Sequence, residues 1–341
     1  MIKKAKQVTI YDIAKTLNIS AATVSRALTG NVDVKSDTRE KILNAASNMG
    51  YSSNNFASNL RKKQSKMIGV IVHRLNSHFL AETLAGIEKS LNMAGYHMII
   101  SQSHESVAAE IKATKAMLKN RVDGLLVSLC YDNDTTRHFD ELINQGVPVV
   151  FFDRTPINGE YDHVKIDNFK AAYEMTMHLI RQGYKRILHI TASQRRDVYA
   201  DRLAGYKQAL QDSNIAFNKD LVLVTDLNPE YGVEAANYIM NMKARPDAVF
   251  TVNDFLAVTC MKALQKMGIS VPRDIAFAGF NNDPISKLVT PSLTTVNYDG
   301  VKIGQLAART LLNKLTEKIN AKSNIVMAHE LVVRESSVKK N

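Results

Sequence analysis

The chain has 341 residues, of which 45% are hydrophobic and 23% charged, enough for two or three domains with cores of their own. No apolar run nears the roughly 20 residues that cross a bilayer, and the lysines of "MIKKAKQVTIYDIAK" precede no apolar h-region, so neither a membrane span nor a secretory leader is expected. Of the formal net charge of +11, most sits in residues 1–66, which hold twelve Lys and Arg against four Asp and Glu, the footprint of a small module that meets a polyanion.

The first elements are short and helical. Ile10, Ile13, Ala14 and Leu17 fall at i, i+3, i+4 and i+7, and Thr9 with Asp12 forms a capping-box-like start. Asn18-Ile19-Ser20 makes a turn, with Ser20 as N-cap of a second helix that Gly30 stops. There Val24, Ala27 and Leu28 point back to the first helix, and Ala21, Ala22, Ser25 and Arg26 point away. A third helix carries Ile42, Ala45, Ala46 and Met49 on one face and ends at Gly50. Three short helices with a three-residue turn describe a helix-turn-helix, whose second helix enters the major groove; a three-helix protein-interaction bundle is the rival reading. Arg26 suits a bidentate bond to guanine. The small Ala21 and Ala22 let the backbone approach bases and pack on thymine methyls. Thr9, Tyr11, Ser20, Thr23, Ser25 and Thr38 offer hydroxyls for phosphate contacts, which set register rather than sequence.

"NNFASNLRKKQS" (residues 54–65) reads in isolation as a polar linker. From Met67 the texture changes. "MIGVIVH", "YHMIIS", "GLLVS" and "VPVVFF" read as buried strands, with helical stretches such as Phe79 to Met93 and Glu105 to Lys119 between them. "RILHI", "LVLV", "AVFTV" and "IAFAGF" repeat the arrangement. Alternating strands and helices predict two doubly wound parallel sheets, with a ligand pocket in the cleft at the strands' carboxyl ends. Catalytic patterns are missing: "VIVHRLNSHF" lacks a Gly-rich phosphate turn, and there is no Walker lysine loop or G-x-S-x-G elbow. His73, His78, His104 and His138 are scattered without ligand spacing, so no metal and no cofactor are expected and the chain reads as a non-enzyme. Cys130 and Cys260 read as reduced thiols of a cytoplasmic protein.

"TIYDIAKTLNISAATVSRALTG" and "TREKILNAASNMGY" resemble the DNA-binding head of the lactose-repressor/galactose-repressor family, and "NNFASNLRKKQS" resembles that family's hinge helix. "RVDGLLVSL", "PVVFFDR", "DRLAGYKQAL", "AVFTVNDFLA" and "GFNNDPISKLVTPSLTTV" resemble landmarks of its effector domain, so the likeness spans essentially the whole chain. The resemblance implies a small all-α helix-turn-helix head plus an α/β two-lobed periplasmic-binding-protein-like effector domain. The implied domains are a head at 1–53, a hinge at 54–66 and an effector and dimerisation domain at 67–341, its N-lobe about 67–166 and 297–325 and its C-lobe about 167–296 and 326–341. It implies a homodimeric transcriptional regulator, of the repressor kind, that binds a near-palindromic operator under control of a sugar-like effector. A periplasmic-type solute-binding protein is the alternative, against which the basic head and missing leader argue. Leu60 falls where the family wedges a leucine into the minor groove, and Asn54 and Ala57 on its other hinge contacts. Arg202 matches the arginine that grips the effector. Asp153 and Arg154 follow the fourth strand, Asn253 and Asp254 follow "AVFTV", Ser128 ends the third strand, and Phe79 takes an aromatic position. One departure stands out: Asn281 replaces the aspartate that commonly follows "GF", so the effector is less hydroxyl-rich or anionic, or Asp283 swings in.

Overall fold

The computed structural model describes residues 8–28, 33–51, 64–130, 135–156, 161–194, 197–226, 228, 230–317 and 321–339. The chain divides into two compact units, Met1–Ser65 and Lys66–Asn341.

In the first unit, α1 (Ile10–Leu17), α2 (Ala21–Leu28) and α3 (Ser36–Asn48) follow the apolar spacing. The expected capping box forms: Thr9 N donates to Asp12 Oδ2 at 2.8 Å and Asp12 N to Thr9 Oγ1 at 3.4 Å. Asn18 ends α1 in the left-handed region at φ 54°, a conformation Asn tolerates better than most residues, and this reverses the chain. Thr23 N then donates to Ser20 Oγ at 3.1 Å, starting α2. Ile13, Val24 and Ile42, one from each helix, meet fully buried. Each contributes about 1.5–3 kcal/mol through burial, and together they set the angles between three helices too short to stand alone. Ala21 packs at the edge of this core rather than pointing away as expected, because the first turn of α2 sits against the other helices.

The second unit holds two all-parallel sheets. The six-stranded sheet has the order β11-β5-β4-β3-β1-β2, built from β1 (Met67–Val72), β2 (His97–Gln102), β3 (Gly124–Val127), β4 (Val149–Phe152), β5 (Asp162–Ile166) and β11 (Asn324–Met327). The four-stranded sheet has the order β7-β6-β8-β9, from β6 (Ile187–Thr191), β7 (Val222–Val224), β8 (Ala248–Thr251) and β9 (Ala276–Ala278). In each sheet the first strand lies between the second and third, so the winding reverses at that point. All eight strands read from sequence are present. Missing from that reading are β5, β11 and the antiparallel pair β10 (Thr295–Asn297) and β12 (Glu330–Val332), which lies where the chain passes between the two sheets. β5 escapes because it opens with Asp162 and His163. Both are buried, and Asp162 is offset by Lys314 Nζ at 2.9 Å and Ser323 N at 2.7 Å, partners more than 150 residues downstream.

Helix α4 (His78–Met93) crosses α12 (Gly300–Glu317) over the six-stranded sheet at glycines: a Cβ on Gly86 would overlap the Val301 carbonyl, and one on Gly304 the Thr83 carbonyl. Two helix backbones can lie this close only where side chains are absent. Among the described residues no helix is long and apolar enough to cross a membrane.

Candidate nucleic-acid interface and effector cleft

On the helix-turn-helix, Ala22, Arg26, Ser20, Thr9 and Tyr11 are exposed, and Thr23, Ser25 and Thr38 half-buried. Arg26 lies along α2 with its Nε donating to the Ala22 carbonyl at 3.4 Å. A hydrogen bond of this length is weak. Tyr11 is 72% exposed, a large ring standing outside the small core and apt for a surface covered by a partner. Asn54, Ala57 and Leu60 lie outside the described residues.

In the second unit a cavity of about 290 Å³ opens where strands of both sheets end. His73 and Arg74 enter it after β1, Asp153 and Arg154 after β4, Asp226 after β7, Asn253 after β8, and Asn281 and Asp283 after β9. Phe79 comes from α4, and Tyr199 and Arg202 from α8 (Asp197–Asp212). Every expected effector residue except Ser128 lines it. Ser128 is fully buried behind the wall, its Oγ 3.3 Å from His73 Nδ1 and donating to Asp153 Oδ2 at 3.4 Å, so it braces two lining side chains instead of facing a ligand. Asp254 likewise lies beneath, accepting Thr295 Oγ1 at 2.6 Å and Asp283 N at 2.7 Å.

The arginines are held in place by bonds within the protein. Arg202, 3% exposed, donates from Nε to Asn168 Oδ1 and from Nη1 to the Val252 carbonyl, both at 2.9 Å. Its guanidinium carbon sits 3.5 Å from the Phe280 ring centroid. Such pinning removes the rotamer entropy a long side chain otherwise loses on binding. Arg154 donates from Nη1 to both Glu105 oxygens at 2.9 and 2.8 Å and from Nη2 to the Tyr199 hydroxyl at 2.8 Å. The last bond joins the end of a six-stranded-sheet strand to a helix packed on the four-stranded sheet. A second tie runs the same way, Arg74 Nη1 donating to Asn228 Oδ1 at 2.9 Å.

Burial, with Arg154 and Arg74 nearby, holds the His73 imidazole well below the usual histidine range, so at neutral pH it is an uncharged donor and acceptor. Asn281 stands in the left-handed half of backbone space at φ 103°, and its Oδ1 accepts the Tyr298 hydroxyl at 2.8 Å. Tyr298 in turn tilts against Phe79 with centroids 4.9 Å apart, making an aromatic wall. Glu105, Tyr199 and Tyr298 went unseen in the sequence because their only signal is position. Glu105 sits in a turn with positive φ, and Tyr298 follows β10, a strand of three residues.

Residues 9–54 match the family described as bacterial regulatory proteins, lacI family, and residues 176–337 match the periplasmic binding protein-like domain. The chain is similar to catabolite control protein A of Priestia megaterium, 33% identical over 332 residues, which is 97% of this chain and 99% of that protein. It resembles the crystal structure of the Lac repressor dimer bound to operator and the anti-inducer ONPF, with a TM-score of 0.88, 26% identity and coverage of 98% and 100% of the two chains. It also resembles the transcriptional regulator CelR in complex with cellobiose, with a TM-score of 0.74, 26% identity and coverage of 97% and 100%. Matched end to end by such a relative, and carrying a helix-turn-helix and a two-sheet periplasmic-binding-protein-like domain, this chain belongs to the lacI family of bacterial regulatory proteins and is a DNA-binding transcription regulator.

Proposed function

We propose that the protein is a homodimeric repressor of a near-palindromic operator whose affinity for DNA is set by a sugar-like effector in the cleft. The observation that carries the reading is the cavity itself. Arg202 is already engaged at Nε and Nη1 and Arg154 at Nη1 and Nη2, and the donors that remain on these fixed guanidinium groups suit the hydroxyls of a sugar. Phe79 and Tyr298 supply an aromatic face for the apolar side of a sugar ring. The cellobiose complex of the related regulator CelR supports the same class.

The Ser20–Leu28 helix of each subunit reads a major groove, with Arg26 on guanine and Ala22 against the bases. Thr9, Tyr11, Ser20, Thr23, Ser25 and Thr38 hold phosphates, and Asn54, Ala57 and Leu60 reach the operator centre. Head, hinge and effector domain are taken as 1–53, 54–66 and 67–341. A coupling of about 1–3 kcal/mol between cleft and head changes operator occupancy several-fold or more. The test is an operator selected from random duplexes, titrated by fluorescence anisotropy with and without cellobiose, glucose and ribose. At least one sugar is expected to shift the operator Kd about fivefold or more. Equal binding to every duplex, governed by salt alone, sinks the reading.

A further inference from the structure

The cleft is rich in donors. Arg202 and Arg154 have no acceptor capacity, and the acceptor oxygen of Asn281 is already taken by Tyr298. Glu105 is occupied by Arg154, and Asp226 Oδ2 accepts the Tyr231 hydroxyl at 3.2 Å. Asp283 differs. Its backbone is fixed, with N donating to Asp254 Oδ2 at 2.7 Å and its carbonyl accepting Ser286 N at 2.8 Å. Its side chain lines the cavity and the residue is 5% exposed, yet Oδ1 is buried with no hydrogen-bond partner. Among the described residues it is the one cavity-lining residue with such an atom.

A buried carboxylate oxygen without a donor costs free energy unless something compensates it. We propose that Asp283 is the acceptor for a hydrogen-bond donor on the effector, a hydroxyl or an ammonium, the role that the amide of Asn281 leaves unfilled. The inference rests on the cleft being the effector site, as argued under Proposed function. Burial pushes the Asp283 carboxyl up to about 6, with His78 opposing and Glu82 reinforcing the shift from α4. The other ionisable groups facing it are the Asp254 carboxyl beneath and the Tyr298 phenol across the cavity. The same segment is tied to the strands that link the two sheets. Asp254 holds Thr295, Asn282 Nδ2 donates to Asn297 Oδ1 at 3.0 Å, and Arg334 Nη2 donates to Asn282 Oδ1 at 2.6 Å. A donor captured at Asp283 therefore bears directly on the passage between the sheets.

The test compares full-length wild type with Asp283→Asn and Asp283→Ala. Thermal unfolding is followed without ligand at about pH 7.5 and about pH 5, then with glucose, glucosamine, cellobiose or ribose. Because the folded carboxyl titrates above its unfolded value, it destabilises the ligand-free protein above about pH 6 and less so as pH falls. Asp283→Asn is thus expected to raise the ligand-free midpoint at the higher pH, with a smaller gain at the lower. The sugar-induced rise of the wild type is expected to be lost in Asp283→Ala, which has no side-chain acceptor, with affinity down about tenfold or more, and to be weakened in Asp283→Asn, whose amide oxygen still accepts a hydroxyl. Glucosamine outperforming glucose assigns the donor as an ammonium, and the reverse as a hydroxyl. Two results overturn the assignment of Asp283 alone: ligand-free destabilisation by both substitutions at both pH values, or an undiminished sugar response of Asp283→Ala. A wild type that responds to no probe overturns the sugar-effector reading itself, and this inference with it.

Discussion

Tyr199→Phe tests whether the cleft is held by the bonds that cross it. The substitution removes only the hydroxyl that accepts Arg154 Nη2 at 2.8 Å, across from the six-stranded to the four-stranded side. Burial pushes the Tyr199 phenol up, so it is neutral at working pH and the deletion changes no charge. Arg154 keeps both bonds to Glu105 and so stays paired. Removing Arg154 instead would take from that carboxylate its shortest ion pair, leaving Arg74 Nε at 3.6 Å, and confuse the result with a loss of folding. A hydrogen bond to a charged group is worth about 1.5–3 kcal/mol net. Because Arg154 borders a cavity that water can enter, the lower figure applies. About 1.5 kcal/mol is about a tenfold shift toward an open arrangement. The assay is solution scattering of the ligand-free protein together with sugar titration by calorimetry. The radius of gyration should grow, and the apparent Kd should weaken up to about tenfold, as the bound sugar must also close the cleft. An unchanged scattering curve with an affinity within about twofold of wild type would show that the bond does not hold the two sides, refuting the argument.

Other outcomes are equally definite. Arg26→Ala should cost about 1–3 kcal/mol on the selected operator and relax preference at one guanine per half-site, read by anisotropy on single-base variants; equal weakening on all duplexes makes Arg26 a phosphate contact only. Gly86→Ala should destabilise the second unit by about 1–3 kcal/mol in urea unfolding, since the new methyl meets the Val301 carbonyl of a facing helix; a neutral effect would mean that α4 and α12 separate freely. His189 is fully buried with its Nδ1 3.1 Å from the Phe250 carbonyl, and burial pushes it down to about 3. Since the unfolded chain takes up that proton from about pH 6.5 downward and the folded one does not, the contribution of His189 to stability should fall by about 1.4 kcal/mol per pH unit below that point. His189→Gln should flatten this slope between about pH 6.5 and 4, and an unchanged slope would place the acid sensitivity elsewhere.

The sequence by itself determined the elements whose physics is local. Apolar spacing, the Thr9–Asp12 capping box and the turn at Asn18 specify the helix-turn-helix, because each acts over a few residues. Eight strands were legible for the same reason: a strand buried on both faces must be apolar along its length, and β1 and β3 are. The strand-end rule then placed Asp153, Arg154 and Asn253 at the cleft before any coordinates, and the family resemblance placed Asn281 there. Tertiary structure alone decided which polar residues are satisfied and by whom. Asp162 is buried in β5 because Lys314 reaches it, Ser128 is withdrawn behind His73, Tyr298 silences one end of Asn281, and Asp283 is left with a buried oxygen that no donor meets. These are pairings between residues from about 15 to more than 150 positions apart, set by how two sheets and their crossing strands pack. No local pattern encodes them, because an apolar preference can be read one residue at a time and a hydrogen bond needs both partners in place.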